Sequence, residues 1–175
     1  MLPEVWFIFS RKGCDVEVQY LEEYKLLDKC EMSEVDLALK RFRIKYPDAV
    51  RESAVKRILR GVAAHHAVCL PLWKSFIEEL FQRRLVKVVF ATETLAAGFN
   101  MPARMAVISP LSKESESGRV NLSPNELLQM AGRAGRRALL IFVSTSSSLQ
   151  WISTPMLASV PEFCFEEKGR EAEGK

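Results

Sequence analysis

Short apolar runs alternate along this chain with longer amphipathic stretches, and that alternation leaves few folds open. The run V-W-F-I-F at 5–9 is rich in aromatic and branched residues, and residues 85–91, interrupted only by Lys87, and 105–108 repeat the pattern. A strand with one wet face alternates apolar and polar residues. A strand covered on both faces does not, so these runs read as buried parallel strands. Residues 61–64 are a smaller candidate. Between them lie helical patterns. Residues 10–13 read as a turn and 14–27 as a helix. A second helix starts near Ser33, with Val35, Leu39, Phe42 and Tyr46 on one face, and Pro47 stops it. Residues 48–60 look helical and basic. Pro71 opens a helix whose stripe is Trp73, Phe76, Ile77, Leu80 and Phe81. The polar segment 113–118 reads as an exposed loop. Ser123, Pro124 and Glu126 form a strong helix start: a capping hydroxyl, Pro at the first position and Glu closing the capping box. Residues 139–143 offer one more strand. The expectation is an α/β fold, a parallel sheet flanked by helices, with function in the loops at the carboxyl ends of the strands.

Composition narrows the classes. A length of 175 residues fits one domain, 48% hydrophobic residues can fill its core, and 27% charged residues are ordinary for a water-facing surface. No apolar run approaches bilayer length, so no membrane partner is expected. The start, M-L-P-E, has no basic leader, so no signal or transit peptide is expected on this chain. Cys14, Cys30, Cys69 and Cys164 are widely spaced with no C-x-x-C pair, which predicts free thiols and no metal site. A net charge of +3 does not by itself argue for nucleic acid.

Four strings carry chemistry. Q-M-A-G-R-A-G-R-R at 129–137 puts Arg133 and Arg136 three apart on one helix face, with Gly132 and Gly135 allowing another surface to approach. Paired guanidinium groups suit a polyphosphate. A solvated basic helix end that complements the helix dipole would use the same residues. A-T-E-T-L-A-A-G-F-N-M-P at 91–102 follows a buried strand; its Thr hydroxyls and Gly can meet phosphate, or simply form a capped loop. V-W-F-I-F-S-R-K-G-C-D at 5–15 ends a strand in a cationic turn. V-A-A-H-H-A at 62–67 places two histidines on opposite sides of a strand, where they make poor joint metal ligands.

In this order and at this spacing the strings resemble motifs VI, V and IV, and the A-x-H-H-A string, of superfamily 2 DExH-box RNA helicases. The wording is similar to the exosome-associated and plant plastid subgroup, and the likeness covers about residues 1–137. The resemblance implies the second, C-terminal RecA-like domain over residues 1–143; residues 144–175 depart from the family and read as a divergent, poorly ordered tail. It implies that Gln129, Gly98 and Asn100 meet ATP and that Arg133 and Arg136 act as catalytic arginine fingers. It implies that Ser10, Arg11, Lys12, His66, Thr92 and Thr94 face the RNA backbone. Phe99 and Val68 depart from the family pattern. Neither G-x-x-x-x-G-K-[ST] nor D-E-x-H occurs in the chain. ATP and Mg2+ would therefore be held mainly by a first RecA-like domain absent from this chain, which reads as truncated and inactive by itself. The resemblance implies a plastid location for the full-length protein. The rival expectation is a non-catalytic fragment that binds RNA or a partner weakly.

Overall fold

A computed structural model describes residues 3–21, 23–92, 103–108, 112–115, 118–131, 140–145 and 148–152. The elements are β1 (Glu4–Phe7), α1 (Arg11–Tyr20), α2 (Lys29–Lys45), a 3-10 turn (Pro47–Ala49), α3 (Glu52–Ile58), β2 (Val62–His65), α4 (Pro71–Gln82), β3 (Val88–Ala91), β4 (Met105–Ile108), β5 (Ser112–Ser115), β6 (Gly118–Asn121), α5 (Pro124–Ala131), β7 (Leu140–Thr145) and β8 (Ser148–Ile152). Six strands form one sheet in the order β2-β3-β1-β4-β7-β8. All neighbours in it are parallel except β7 and β8, which pair as an antiparallel hairpin. The apolar runs are thus covered on both faces, as expected.

Alternate strand residues point to opposite faces. Val5, Phe7, Ala63, Val89, Ala91, Ala106 and Ile108 belong to one buried cluster with residues of α2, α3, α4 and α5. Trp6, Ile8, Val62, Val88 and Phe90 pack on the other face against Cys14 and Val18 of α1. All five stripe residues of α4 are buried, which makes that helix the main cover of the first face. Cys14, Cys30 and Cys69 are free thiols.

Three local expectations are corrected. The segment 10–13 is not a turn before a helix at 14: α1 begins at Arg11, because the Ser10 hydroxyl caps it by accepting from the Gly13 amide at 3.1 Å. Helix α2 starts at Lys29, ahead of Ser33, because Asp28 and Glu31 form a capping box. Segment 113–118 is not a plain loop: Ser112–Ser115 and Gly118–Asn121 pair as an antiparallel hairpin. The strand expected at 139–143 runs from Leu140 to Thr145, and β8 follows it within the segment assigned to the tail.

The hairpin is tied to the start of α5. Lys113 Nζ lies 2.5 Å from Glu126 Oε1, and Oε2 of the same carboxylate accepts from the Ser123 amide and hydroxyl at 2.8 and 2.7 Å. Lys113 first, and then Ser123, pull the Glu126 carboxyl down from 4.5 to about 2. A depressed folded value means that this contribution is present above the ordinary value and is lost as pH falls from about 4.5 toward 2. Glu126→Gln keeps an oxygen for Ser123 but removes the charge. Its urea midpoint is expected to fall less steeply over that window than that of the native chain; superimposable profiles would show that the contact contributes nothing to stability.

Candidate functional site at the carboxyl edge of the sheet

In the register of the parallel strands, Phe7 pairs with both Ala91 and Ile108, and Ala91 with His65. The residues that follow these strand ends therefore gather along one edge. The Ile8 amide donates to the Ala91 carbonyl at 2.8 Å, and the Thr92 amide to the His65 carbonyl at 3.4 Å. The ladder thus continues one residue past β1 and β3, which aligns Ile8, Thr92 and His66.

The turn after β1 carries the clearest electrostatic signal. Ser10, Arg11 and Lys12 are exposed, and the two cations occupy the first turn of α1, which has no acidic residue. Helix amino ends carry partial positive charge and normally attract Asp or Glu. Two cations there cost stability and add to the field of the free amides, an arrangement that suits an anion. Gly13 lets this turn lie close to the strand: a Cβ at Gly13 would come 2.9 Å from Ile8 Cγ2. Next along the helix, burial pushes the Cys14 thiol up to about 12, so this cysteine is a core residue and not a nucleophile.

Thr92 is buried, with 8% of its surface exposed. The adjacent histidines are buried as well and face opposite ways. His65 Nε2 lies 2.8 Å from Glu78 Oε1 on α4. His66 Nε2 lies 3.6 Å from Asp15 Oδ2 on α1, and its ring nitrogens lie 3.7 Å from Cys69 Sγ. Burial lowers the proton affinity of both rings, more than the neighbouring carboxylates raise it. Arg51 joins the second group, with Nη2 3.4 Å from Asp15 Oδ2 and Nη1 3.7 Å from Cys69 Sγ.

Of the residues singled out in the sequence, the structure brings Ser10, Arg11, Lys12, His66 and Thr92 to this edge. Gln129 is exposed in the last turn of α5. The next described element, β7, starts level with Met105, at the opposite end of β4. Thr94, Gly98, Asn100, Arg133 and Arg136 lie outside the described residues. Asp15, Arg51 and Glu78 were not anticipated. The signal for them was the H-H pair itself, since two buried rings on opposite faces need a polar partner on each.

A parallel sheet flanked by helices, with its phosphate-compatible groups at the carboxyl ends of the strands, defines an α/β domain of the RecA-like kind. The sequence comparisons narrow this further. Over 139 residues, 79% of this chain, it is 74% identical to the DExH-box ATP-dependent RNA helicase DExH15 chloroplastic of Arabidopsis thaliana, of which it covers 12%. It is 39% identical over 144 residues to the antiviral helicase SKI2 of Saccharomyces cerevisiae, and 43% identical over 150 residues to the probable helicase HelY of Mycobacterium leprae. Each match takes in 79% of this chain, but 11% of the yeast protein and 16% of the mycobacterial one. No family model matches the chain. Its homologues are thus DExH-box RNA helicases and related helicases, and the chain spans between about a tenth and a sixth of the length of these relatives.

Proposed function

We propose that this chain acts as the second RecA-like domain of an ATP-dependent RNA helicase, with residues 1–143 as the working unit. The observation that carries the reading is the cationic first turn of α1, set at the carboxyl edge beside Thr92. In this reading Ser10, Arg11, Lys12, Thr92 and Thr94 grip RNA phosphates. His66, expected from the sequence to face the RNA, is 2% exposed and turned toward Asp15, so in this reading it supports the edge from below. Gln129, Gly98 and Asn100 meet ATP, and Arg133 and Arg136 stabilise charge on its transferring phosphoryl group. A first RecA-like domain supplies the phosphate cradle and the magnesium-holding acids. The exposed amide of Gln129 can both donate to and accept from a nucleotide. Closing the cleft between the two domains would move the backbone-gripping edge along the RNA. Such a grip reads phosphates and tolerates any sequence. A plastid location follows from the likeness to the chloroplastic relative. The second reading is a non-catalytic fragment that binds RNA or a partner weakly.

RNA binding tests the edge directly. The 175-residue chain is expected to bind single-stranded RNA weakly, with affinity falling steeply as salt rises. Arg11→Ala and Lys12→Ala should each reduce the slope of log affinity against log salt by about 0.7, the value for one single-strand phosphate contact. An unchanged slope in the double variant, or a tight, salt-insensitive complex, would overturn the assignment of this edge to RNA.

A further inference from the structure

Adjacent residues at a strand end face opposite sides of the sheet, and here each finds an acid on the helix that covers its side. His65, on the α4 side, is paired with Glu78 at 2.8 Å. His66, on the α1 side, has the Asp15 carboxylate 3.6 Å away, a looser contact that is an ion pair only when the ring is protonated. Both rings are buried, and Glu78 keeps only 13% of its side chain exposed. A hydrogen bond at this distance has the ring Nε2–H donating to the Glu78 carboxyl oxygen. That bond ties the end of β2 to α4.

Both pairs lead directly to groups on the phosphate-facing edge. The His65 carbonyl accepts the amide of Thr92. Asp15 lies three and four residues after Lys12 and Arg11 on α1, so all three occupy neighbouring positions on one side of the helix. Arg51 holds the same carboxylate from the start of α3, at 3.4 Å. The end of β2 is therefore gripped from above and below, and Thr92 and the Arg11-Lys12 turn are each attached to one side of that grip.

We propose that the His65–Glu78 and His66–Asp15 pairs form a two-sided clamp that sets the distance between Thr92 and the cationic turn, making these four residues positioning residues for the RNA backbone. The proposal rests on the reading of this edge as RNA-binding. A surface that holds several phosphates at once works only if its groups keep their spacing to within about 0.5 Å. Releasing one side of the clamp would spoil that spacing without removing a charge from the edge.

Glu78 is the residue to change, because it lies on α4 and carries no RNA contact in this reading. Glu78→Ala removes the acceptor for His65, whereas Glu78→Gln keeps an oxygen in the same place. The readout is fluorescence anisotropy of a labelled oligouridine, about 20 nucleotides long, titrated with the full 175-residue chain. Glu78→Ala is expected to weaken binding about ten-fold, with Glu78→Gln restoring it to within about two-fold. The Thr92 amide resonance should shift in the alanine variant and return in the glutamine variant, a local signature that a general loss of stability would not give. If Glu78→Ala does not fold, Glu78→Asp takes its place; it keeps the charge but shortens the reach, and is expected to bind more weakly than the native chain. A folded Glu78→Ala chain that binds RNA like the native one, with only its melting temperature lowered, would overturn the clamp. If the Arg11→Ala/Lys12→Ala double variant also binds normally, the RNA reading of the edge fails with it. If that double variant loses binding while Glu78→Ala does not, the clamp alone falls.

Discussion

Joined to a domain that supplies the phosphate cradle, a chain carrying Arg136→Lys is expected to turn ATP over about a thousandfold more slowly than the native pair. Lysine keeps the positive charge but loses the planar fork that can hold two phosphate oxygens at once. A finger that acts mainly in the transition state shows its loss in the turnover number, with nucleotide binding little changed. RNA affinity without nucleotide should also change little, because in this reading Arg136 faces the cleft between domains and not the edge lined by Arg11 and Thr92. Arg137→Lys is the control, since the motif gives Arg137 no phosphate contact. The chain alone, lacking the G-K-[ST] and D-E-x-H strings, serves as the blank and should show no RNA-stimulated turnover. Equal, small losses in both variants would reduce the string Q-M-A-G-R-A-G-R-R to a basic helix end, and the arginine fingers would have to be withdrawn.

What could be read from the sequence was whatever depends on burial. The run at 105–108 and the α4 stripe were recognisable because every apolar residue in them is used, and the structure buries Ala106, Val107, Ile108 and all five stripe residues. The start of α5 was also legible, because S-P-N-E satisfies its own first amides and needs no distant partner. Elements without a buried face were harder. Residues 118–121 are exposed throughout β6, so no alternation marks the hairpin. The first turn of α2 is not buried, so its Cys30 and Met32 mark no core face and the apolar pattern becomes visible only at Val35, although D-x-x-E at 28–31 had already announced the start. In β8 the order S-L-Q-W-I does alternate, but the serine-rich stretch before it masks the signal. At the candidate site, local strings led to Ser10, Arg11, Lys12, His66 and Thr92, whose neighbours in sequence are distinctive. Glu78 and Arg51 were not found that way. Each is an ordinary charged residue on a helix or at its start, and its role comes from a partner 13 or 36 positions away.

Trp73→Ala is expected to remove about 3–5 kcal/mol of stability, the usual cost of truncating a fully buried tryptophan. Trp73 is 1% exposed. Its ring meets Phe42 edge-on at 5.9 Å and Phe76 at 5.6 Å, while Phe42 and Phe76 stack at 4.5 Å. Those three rings join α2 to α4 over one face of the sheet, so the deletion opens a void between two helices and a sheet that cannot all close on it. Against a total of about 5–15 kcal/mol for a domain of this kind, the loss is a large part of the whole. Leu72, the preceding residue, is 45% exposed, and Leu72→Ala should cost less than about 0.5 kcal/mol. Equilibrium urea unfolding followed by far-ultraviolet circular dichroism separates the two cases: the midpoint drops sharply for Trp73→Ala and barely moves for Leu72→Ala. The same comparison bears on the clamp, because α4 also carries Glu78, and a helix turned to present Leu72 inward would carry Glu78 away from His65. Equal losses for the two variants would mean that α4 packs through a different face, and the His65–Glu78 pair would lose its geometric basis along with the aromatic cluster.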